Sequence, residues 1–354
     1  MSKSIMDYQE KYPKNEEGEN LILKSNEIVF RGHPDKVCDQ ISDALLDEYL
    51  SKDKLSRCGI EVVGGKGIIF ITGEVNSKAE IDYEKTVKRV LKDIGYSTNY
   101  EIINNVGKQS ADISIGVDQM GAGDQGIMYG YACDDTKEYL PTAMVILQKL
   151  SMEYDKLRLK DNRFLPDGKA QITGYYSYNK LKKIKYFIIS YNNTELERDK
   201  TDKIIKDIAL KICSKYNIEV EDFLINPTGK FLIGGFEGDS GLTGRKLAVD
   251  TYQTFANIGG GALSGKDLTK VDRSATYKAR DIAVKYLQKN KLIWCVVELS
   301  YAIGIKEPLA ININSNIGYL KANKNLYKEC KVENLVNEYS NVKFEDKSRF
   351  GHFL

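Results

Sequence analysis

The sequence predicts an α+β fold in three domains, and three observations carry that prediction. At 354 residues the chain exceeds the size at which a single hydrophobic core usually stops growing. A strand-like run followed by a helix-period run occurs three times along it. Glycine-rich stretches stand at or near the places where such units would join, and ligands favour such junctions.

Residues 1–20 are polar with little periodicity and read as an extension. A first domain is expected over 21–120. In it a helix starts at Pro34, which suits a first helical position, and Val37, Ile41, Ala44, Leu45 and Tyr49 follow at helical spacing. The run GIIFITGEV (67–75) reads as a strand, and Val87, Val90, Leu91 and Ile94 then mark an amphipathic helix. A second domain over 121–232 repeats the plan, with YFIISY (186–191) followed by Ile204, Ile205, Ile208 and Ile212. A third over 233–354 holds WCVVELSYAIGI (294–305) and a weaker helical stretch around Tyr327–Tyr339.

Composition narrows the class. The apolar fraction of 42% suits a globular chain. No apolar run reaches the length of a membrane span, and the polar start lacks a signal-peptide core, so a cytoplasmic location is expected. Cys38, Cys58, Cys133, Cys213, Cys295 and Cys330 form no C-x-x-C pair and read as reduced, buried thiols. With 2 histidines, a metal site must rely on oxygen ligands and take a hard cation. Lys+Arg of 52 against Asp+Glu of 50 argues against a nucleic-acid partner.

Three charged, glycine-bordered stretches carry the chemistry. In GGGALSGKD (259–267), Gly260, Gly265 and Lys266 have the spacing of a P-loop, but Asp267 stands where a Ser or Thr should hold Mg²⁺. Glycine backbone beside a lysine still suits anionic oxygens, although a plain solvated loop has the same composition. GDSGLTGRK adds Asp239, Arg245 and Lys246; KDLTKVDRS adds Lys270, Asp272 and Arg273. Carboxylates among cations suggest Mg²⁺ shared between protein and a polyphosphate, the alternative being a salt-bridged surface. In RGHPDK, His33 lies at the entry of the helix beginning at Pro34, near free N–H groups. There Asp35 could reach a metal and Lys36 an anionic oxygen; the alternative is a capping turn.

Taken in order, these segments resemble the S-adenosylmethionine synthetase family. The resemblance rests on GHPDK with CDQISDALLDEYL, GKQSADI (107–113), GAGDQGIMYGYA (121–132), FLIGGFEGDSGLTGRK (231–246), GGGALSGKD, KVDRSATYKAR (270–280) and SYAIG (300–304). It covers the chain from about Ser25 to the end. It implies three similar α/β-sandwich domains about a pseudo-threefold axis. It also implies a homodimer, often paired into a tetramer, with active sites at a subunit interface. The implied reaction is attack of the methionine sulfur on C5′ of ATP, with the tripolyphosphate then cleaved to pyrophosphate and phosphate.

Matched residue by residue, the resemblance implies catalytic roles for His33, Lys36, Arg245, Lys246 and Lys266, with His33 at the departing O5′. It implies ATP contacts from those residues other than Lys36 and from Asp167, Lys169, Lys230, Phe231, Asp239 and Ala262. Methionine would meet Glu74, Gln109, Asp239, Lys270 and Ile303. Asp35 and Asp272 would hold a pair of Mg²⁺ ions, and Glu61 would serve K⁺. The sequence departs from the family's pattern at Arg31, Phe236 and Ile258, which stand for a glutamate, a proline and a histidine. The lid segment Ser114–Met120 is short, and the sequence stops at GHFL without the usual tail.

Overall fold

The computed structural model describes residue 18 and residues 20–109, 121–194 and 196–353; the short lid and most of the N-terminal extension lie outside these. Strand β2 (Arg57–Gly65) shows how the sheets are built. Cys58, Ile60 and Val62 are buried, while Glu61 and Val63 point the other way and are exposed. A two-residue period with one face buried is what a half-covered sheet requires. β2 pairs with β3 (Ile68–Asn76), which pairs in parallel with β4 (Glu101–Lys108). Helices α1 (Pro34–Lys52) and α2 (Tyr83–Ile94) cover the inner face. On α2, Val87, Val90, Leu91 and Ile94 are all fully buried, each contributing about 1.5–3 kcal/mol.

The plan recurs twice more. Strands β6 (Phe164–Ser177), β7 (Lys180–Asn193) and β8 (Val220–Ile225) form a sheet backed by α3 (Thr142–Arg158) and α4 (Arg198–Ser214). Strands β10 (Trp294–Tyr301), β11 (Ala310–Ser315) and β12 (Gly318–Leu320) form another. It is backed by α6 (Val271–Asn290), α7 (Lys324–Glu329) and α8 (Val332–Tyr339). The helix expected at Pro34 and those expected through Val87–Ile94 and Ile204–Ile212 are present, and the weak helical stretch near 327–339 is two short helices. This is the three-domain α+β fold that the sequence predicts.

Each sheet also takes one strand from another third of the chain. β1 (Ile22–Val29) pairs with β6, and β5 (Gly126–Cys133) pairs with β10. The two-residue β9 (Gly241–Leu242) pairs with β2 at Val63 and Gly64. These exchanges bring the glycine-rich loop after residue 233 against α1. A short α5 (Leu247–Asp250) follows that loop, and α9 (Phe344–Phe350) packs on the far end of α1. All six cysteines are buried and free. Among the described residues no helix is long and apolar enough to cross a membrane.

Candidate active site

Helix α1 begins where the first charged group assembles. Proline at its first position leaves no amide to satisfy, and His33 is the N-cap. The Asp35 amide donates to His33 Nδ1 at 3.2 Å, which fixes that nitrogen as the acceptor and leaves the proton on Nε2. Burial first, and then the Lys246 ammonium, pushes the imidazole pKa down to about 4, against the raising effect of Asp35 and Asp239. His33 is therefore a neutral donor at physiological pH.

Asp35 is fully buried. It accepts the Leu242 amide at 2.9 Å and Arg245 Nε at 2.9 Å, and it pairs with Lys246 Nζ. Asp167 Oδ1 and Oδ2 accept the amides of Gly168 and Gly235, both at 2.7 Å, and burial raises its pKa to about 6. Lys169, near enough to act on His33, is paired with Glu27 at 2.5 Å. Phe231 is half-buried, its carbonyl held by Asn192 and Asn193; Lys230 beside it and Asp239 are exposed. Lys36, expected to reach an anionic oxygen, instead points inward. It is 1% exposed and donates to Asp250 at 2.6 Å.

A second group surrounds a cavity of about 280 Å³ lined by Glu61, Glu74, Lys266, Lys270, Asp272 and Ala262. Lys266 Nζ is paired with Asp272, and Lys270 Nζ lies 2.6 Å from Asp267. Gln109 Nε2 donates to Glu74 at 3.1 Å, while its Oε1 is buried without a partner among the described residues. Ile303 is half-exposed and bridges Ala122, beside the Gly123 and Asp124 that also line the cavity. Glu61 and Glu74 project from the outer face of their sheet, on the same side as Val63 and Phe70. Among the described residues, no hydrogen bond or ion pair joins His33, Asp35, Arg245 or Lys246 to Glu74, Lys266, Lys270 or Asp272.

Family models of the S-adenosylmethionine synthetase N-terminal, central and C-terminal domains match residues 21–118, 119–231 and 233–348. The chain belongs to the S-adenosylmethionine synthetase family. It is 38% identical over 383 residues to the S-adenosylmethionine synthase of Prochlorococcus marinus strain AS9601, covering 94% of this chain and 93% of that one. The S-adenosylmethionine synthase of strain NATL1A is 41% identical over 327 residues, covering 82% and 80%. S-adenosylmethionine synthetases are metal-dependent transferases that act on ATP and methionine, and methionine adenosyltransferase is the activity of this chain.

The structure accounts for two of the three departures from the synthetase pattern. Arg31 is buried, donating to Gln40 at 2.8 Å and pairing with Asp93 and Asp155. Phe236 is 1% exposed and packs edge-on against Tyr96 and Tyr100. Ile258 is partly exposed, and nothing in the structure explains it. The P-loop reading fails on geometry. The amides of Gly265 and Asp267 already donate to Asp43 and to the Cys58 carbonyl, at 2.8 and 3.1 Å, so they form no open anion nest. Several buried groups beneath the site carried no sequence reading: Asp39, Asp43 and Asp250. The four-residue spacing of the first two along α1 was the available signal.

Proposed function

We propose that adenosyl transfer takes place where the His33 group of one copy of this chain meets the Lys266 group of a second copy. Methionine sulfur attacks C5′ of ATP; the new S–C bond forms as the C5′–O5′ bond breaks, and tripolyphosphate leaves with the electron pair. A neutral thioether is a modest nucleophile and the leaving group is highly charged. Catalysis therefore rests on alignment and on stabilising the charge that builds at O5′. The single observation that carries the reading is His33 at the N-cap of α1 with Nδ1 taken by the Asp35 amide, so that Nε2, without a partner among the described residues, is the nitrogen left to donate to that oxygen.

The cations follow the same logic. Arg245 and Lys246 share the single carboxylate of Asp35, and Lys266 pairs with Asp272. An entering triphosphate offers these cations new oxygens. Mg²⁺ is commonly held by one or two carboxylates completed by substrate phosphates and water. Among the described residues no cluster of three or more metal-ligating side chains exists. Asp35 and Asp272, each already beside cations that a triphosphate would draw away, would each supply one carboxylate to a pair of Mg²⁺ ions shared with the nucleotide, which when bound would neutralise the triphosphate. Glu61, exposed in the same cavity as Asp272, suits K⁺. Adenine is assigned to Asp167, Lys169, Lys230 and Phe231, with Phe231 stacking on the base and Ala262 lining the phosphate end. The methionine ammonium is assigned to Glu74 and the orphaned Gln109 Oε1, with Asp239, Lys270 and Ile303 around it.

The second copy is argued from the sheet faces. Val63, Ile68 and Ile103 are 38–43% exposed on the outer face that also carries Glu61 and Glu74. Ile127 is 45% exposed on the corresponding face of the β5–β10 sheet. A homodimer closing on these faces would bury them and seal the acids into the site. Incubation with ATP, methionine, Mg²⁺ and K⁺ yields S-adenosylmethionine, and omitting methionine abolishes it. Folded protein that forms no product, or only hydrolyses ATP without methionine, overturns the reading.

A further inference from the structure

Four aspartates stand at every fourth position along α1: Asp35, Asp39, Asp43 and Asp47. Each accepts backbone amides from the last third of the chain. Leu242 N donates to Asp35 at 2.9 Å and Gly244 N to Asp39 at 2.8 Å. Gly265 N donates to Asp43 at 2.8 Å, and Phe344 N and Glu345 N to Asp47 at 3.0 and 2.9 Å. At 1.5 Å of rise per residue, neighbouring aspartates are about 6 Å apart along the axis.

The middle two rungs share a feature. Gly244 immediately precedes Arg245 and Lys246, and Gly265 immediately precedes Lys266. Both glycines are left-handed, at φ +82° and +80°. A Cβ on Gly265 would lie 1.9 Å from the Ile60 carbonyl oxygen, and one on Gly244 would lie 2.6 Å from Ala262 Cβ. Neither glycine can therefore take a side chain without disturbing the approach that brings its amide to the aspartate. Asp43 is also gripped by Arg273 at 2.6 and 2.8 Å, and Arg273 donates to the Lys266 carbonyl at 3.2 Å. Asp39 is 3% exposed and has no ion pair among the described residues.

We propose that Asp39 and Asp43 are positioning residues, Asp39 fixing the Arg245–Lys246 loop and Asp43 the Lys266 loop, each through the glycine amide that precedes its cation. The proposal rests on the reading that these cations hold the triphosphate. Neither aspartate touches substrate; each acts through the glycine amide that aims its neighbouring cation. Partners that orient a binding group typically matter by about 10–100-fold when removed.

The test is calorimetric titration with tripolyphosphate in magnesium buffer, comparing wild type, Asp39→Ala, Lys246→Ala and the double variant. Thermal melts establish that each is folded. Asp39→Ala weakens binding about tenfold. In the Lys246→Ala background the same change adds less than about twofold, because residues acting as a unit are not additive. Asp39→Asn, which keeps an acceptor oxygen for Gly244 N, recovers most of the affinity. Should the alanine variant not fold, Asp39→Ser, polar but too short to reach the amide, replaces it. Wild-type affinity in folded Asp39→Ala or Asp39→Ser, full multiplicative loss in the double variant, or no recovery by Asp39→Asn overturns the proposal. A wild type that binds tripolyphosphate and obeys this cycle but makes no S-adenosylmethionine counts against the assigned reaction and leaves the positioning role standing.

Discussion

Because the Asp35 amide occupies Nδ1 of His33, any ligand contact falls to Nε2, and capping and chemistry can be separated by substitution. His33→Asn keeps a cap acceptor and loses the ring donor; His33→Ala loses both. Both variants should lose about 10²–10³-fold in kcat with little change in the KM for ATP, as removal of a leaving-group donor does. Only the alanine variant should also lose about 1 kcal/mol of stability. Wild-type turnover in His33→Asn would leave His33 as a cap and nothing more. The pH dependence follows from the same environment. Folding lowers the imidazole pKa from 6.5 to about 4, so on acidification the unfolded chain takes up the proton first. The stability due to this residue is complete above pH about 6.5 and is lost as the pH falls towards 4. By pH 5 the loss is on the order of 2 kcal/mol. Denaturant titrations at pH 7 and 5 should show His33→Asn losing less stability on acidification than wild type.

At the scale of the element, the glycine-rich loop at 259–267 is a structural clamp as well as a cation platform. Asp267 is 2% exposed. Its carboxylate accepts the Cys58 amide at 2.7 Å, Lys270 Nζ at 2.6 Å, and the Thr269 amide and hydroxyl at 2.8 and 2.7 Å. Asp267→Ser restores the residue that a P-loop would carry but strands these donors. Denaturant unfolding should show about 3 kcal/mol of lost stability, with no gain of methionine-independent ATP hydrolysis. How legible an element is depends on how its burial is distributed. α2 has one apolar stripe and could be read from spacing alone. α6 could not: Arg273, Ser274, Thr276, Lys278 and Arg280 are buried along with Ala275 and Ala279, so no polar face marks the period. The first half of α3 is apolar nearly all round, with Ala143 to Leu147 all buried. The motifs named the charged residues of the site, but motif spacing alone does not say that Lys36 turns inward. Its partner Asp250 lies 214 positions away, and only the fold brings the two together.

Across the whole molecule, the exchange of strands between thirds of the chain explains why one chain displays two charged groups. β9 ties the Arg245–Lys246 loop to β2 at Val63 and Gly64, while Lys266 bridges Gly59 on the same strand. Both groups are anchored to one sheet, yet Glu61 and Glu74 emerge on its helix-free face and Asp35 is buried among the elements on its other side. On the proposed reading, a site needing His33 and Asp272 together would be completed by the two-fold relation of a dimer, each interface contributing two sites. This predicts complementation. His33→Ala and Asp272→Ala homodimers should each be nearly inactive. Unfolded together and refolded at equal concentration, about half of the dimers should be mixed. In a mixed dimer one site carries both lesions and the other carries neither. Activity should therefore return to about a quarter of wild type, and it should scale with the mixed fraction when one variant is in excess. Refolded mixtures that stay as inactive as the separate variants, while mixed dimers are isolated by differential tagging, would place the whole site within a single chain.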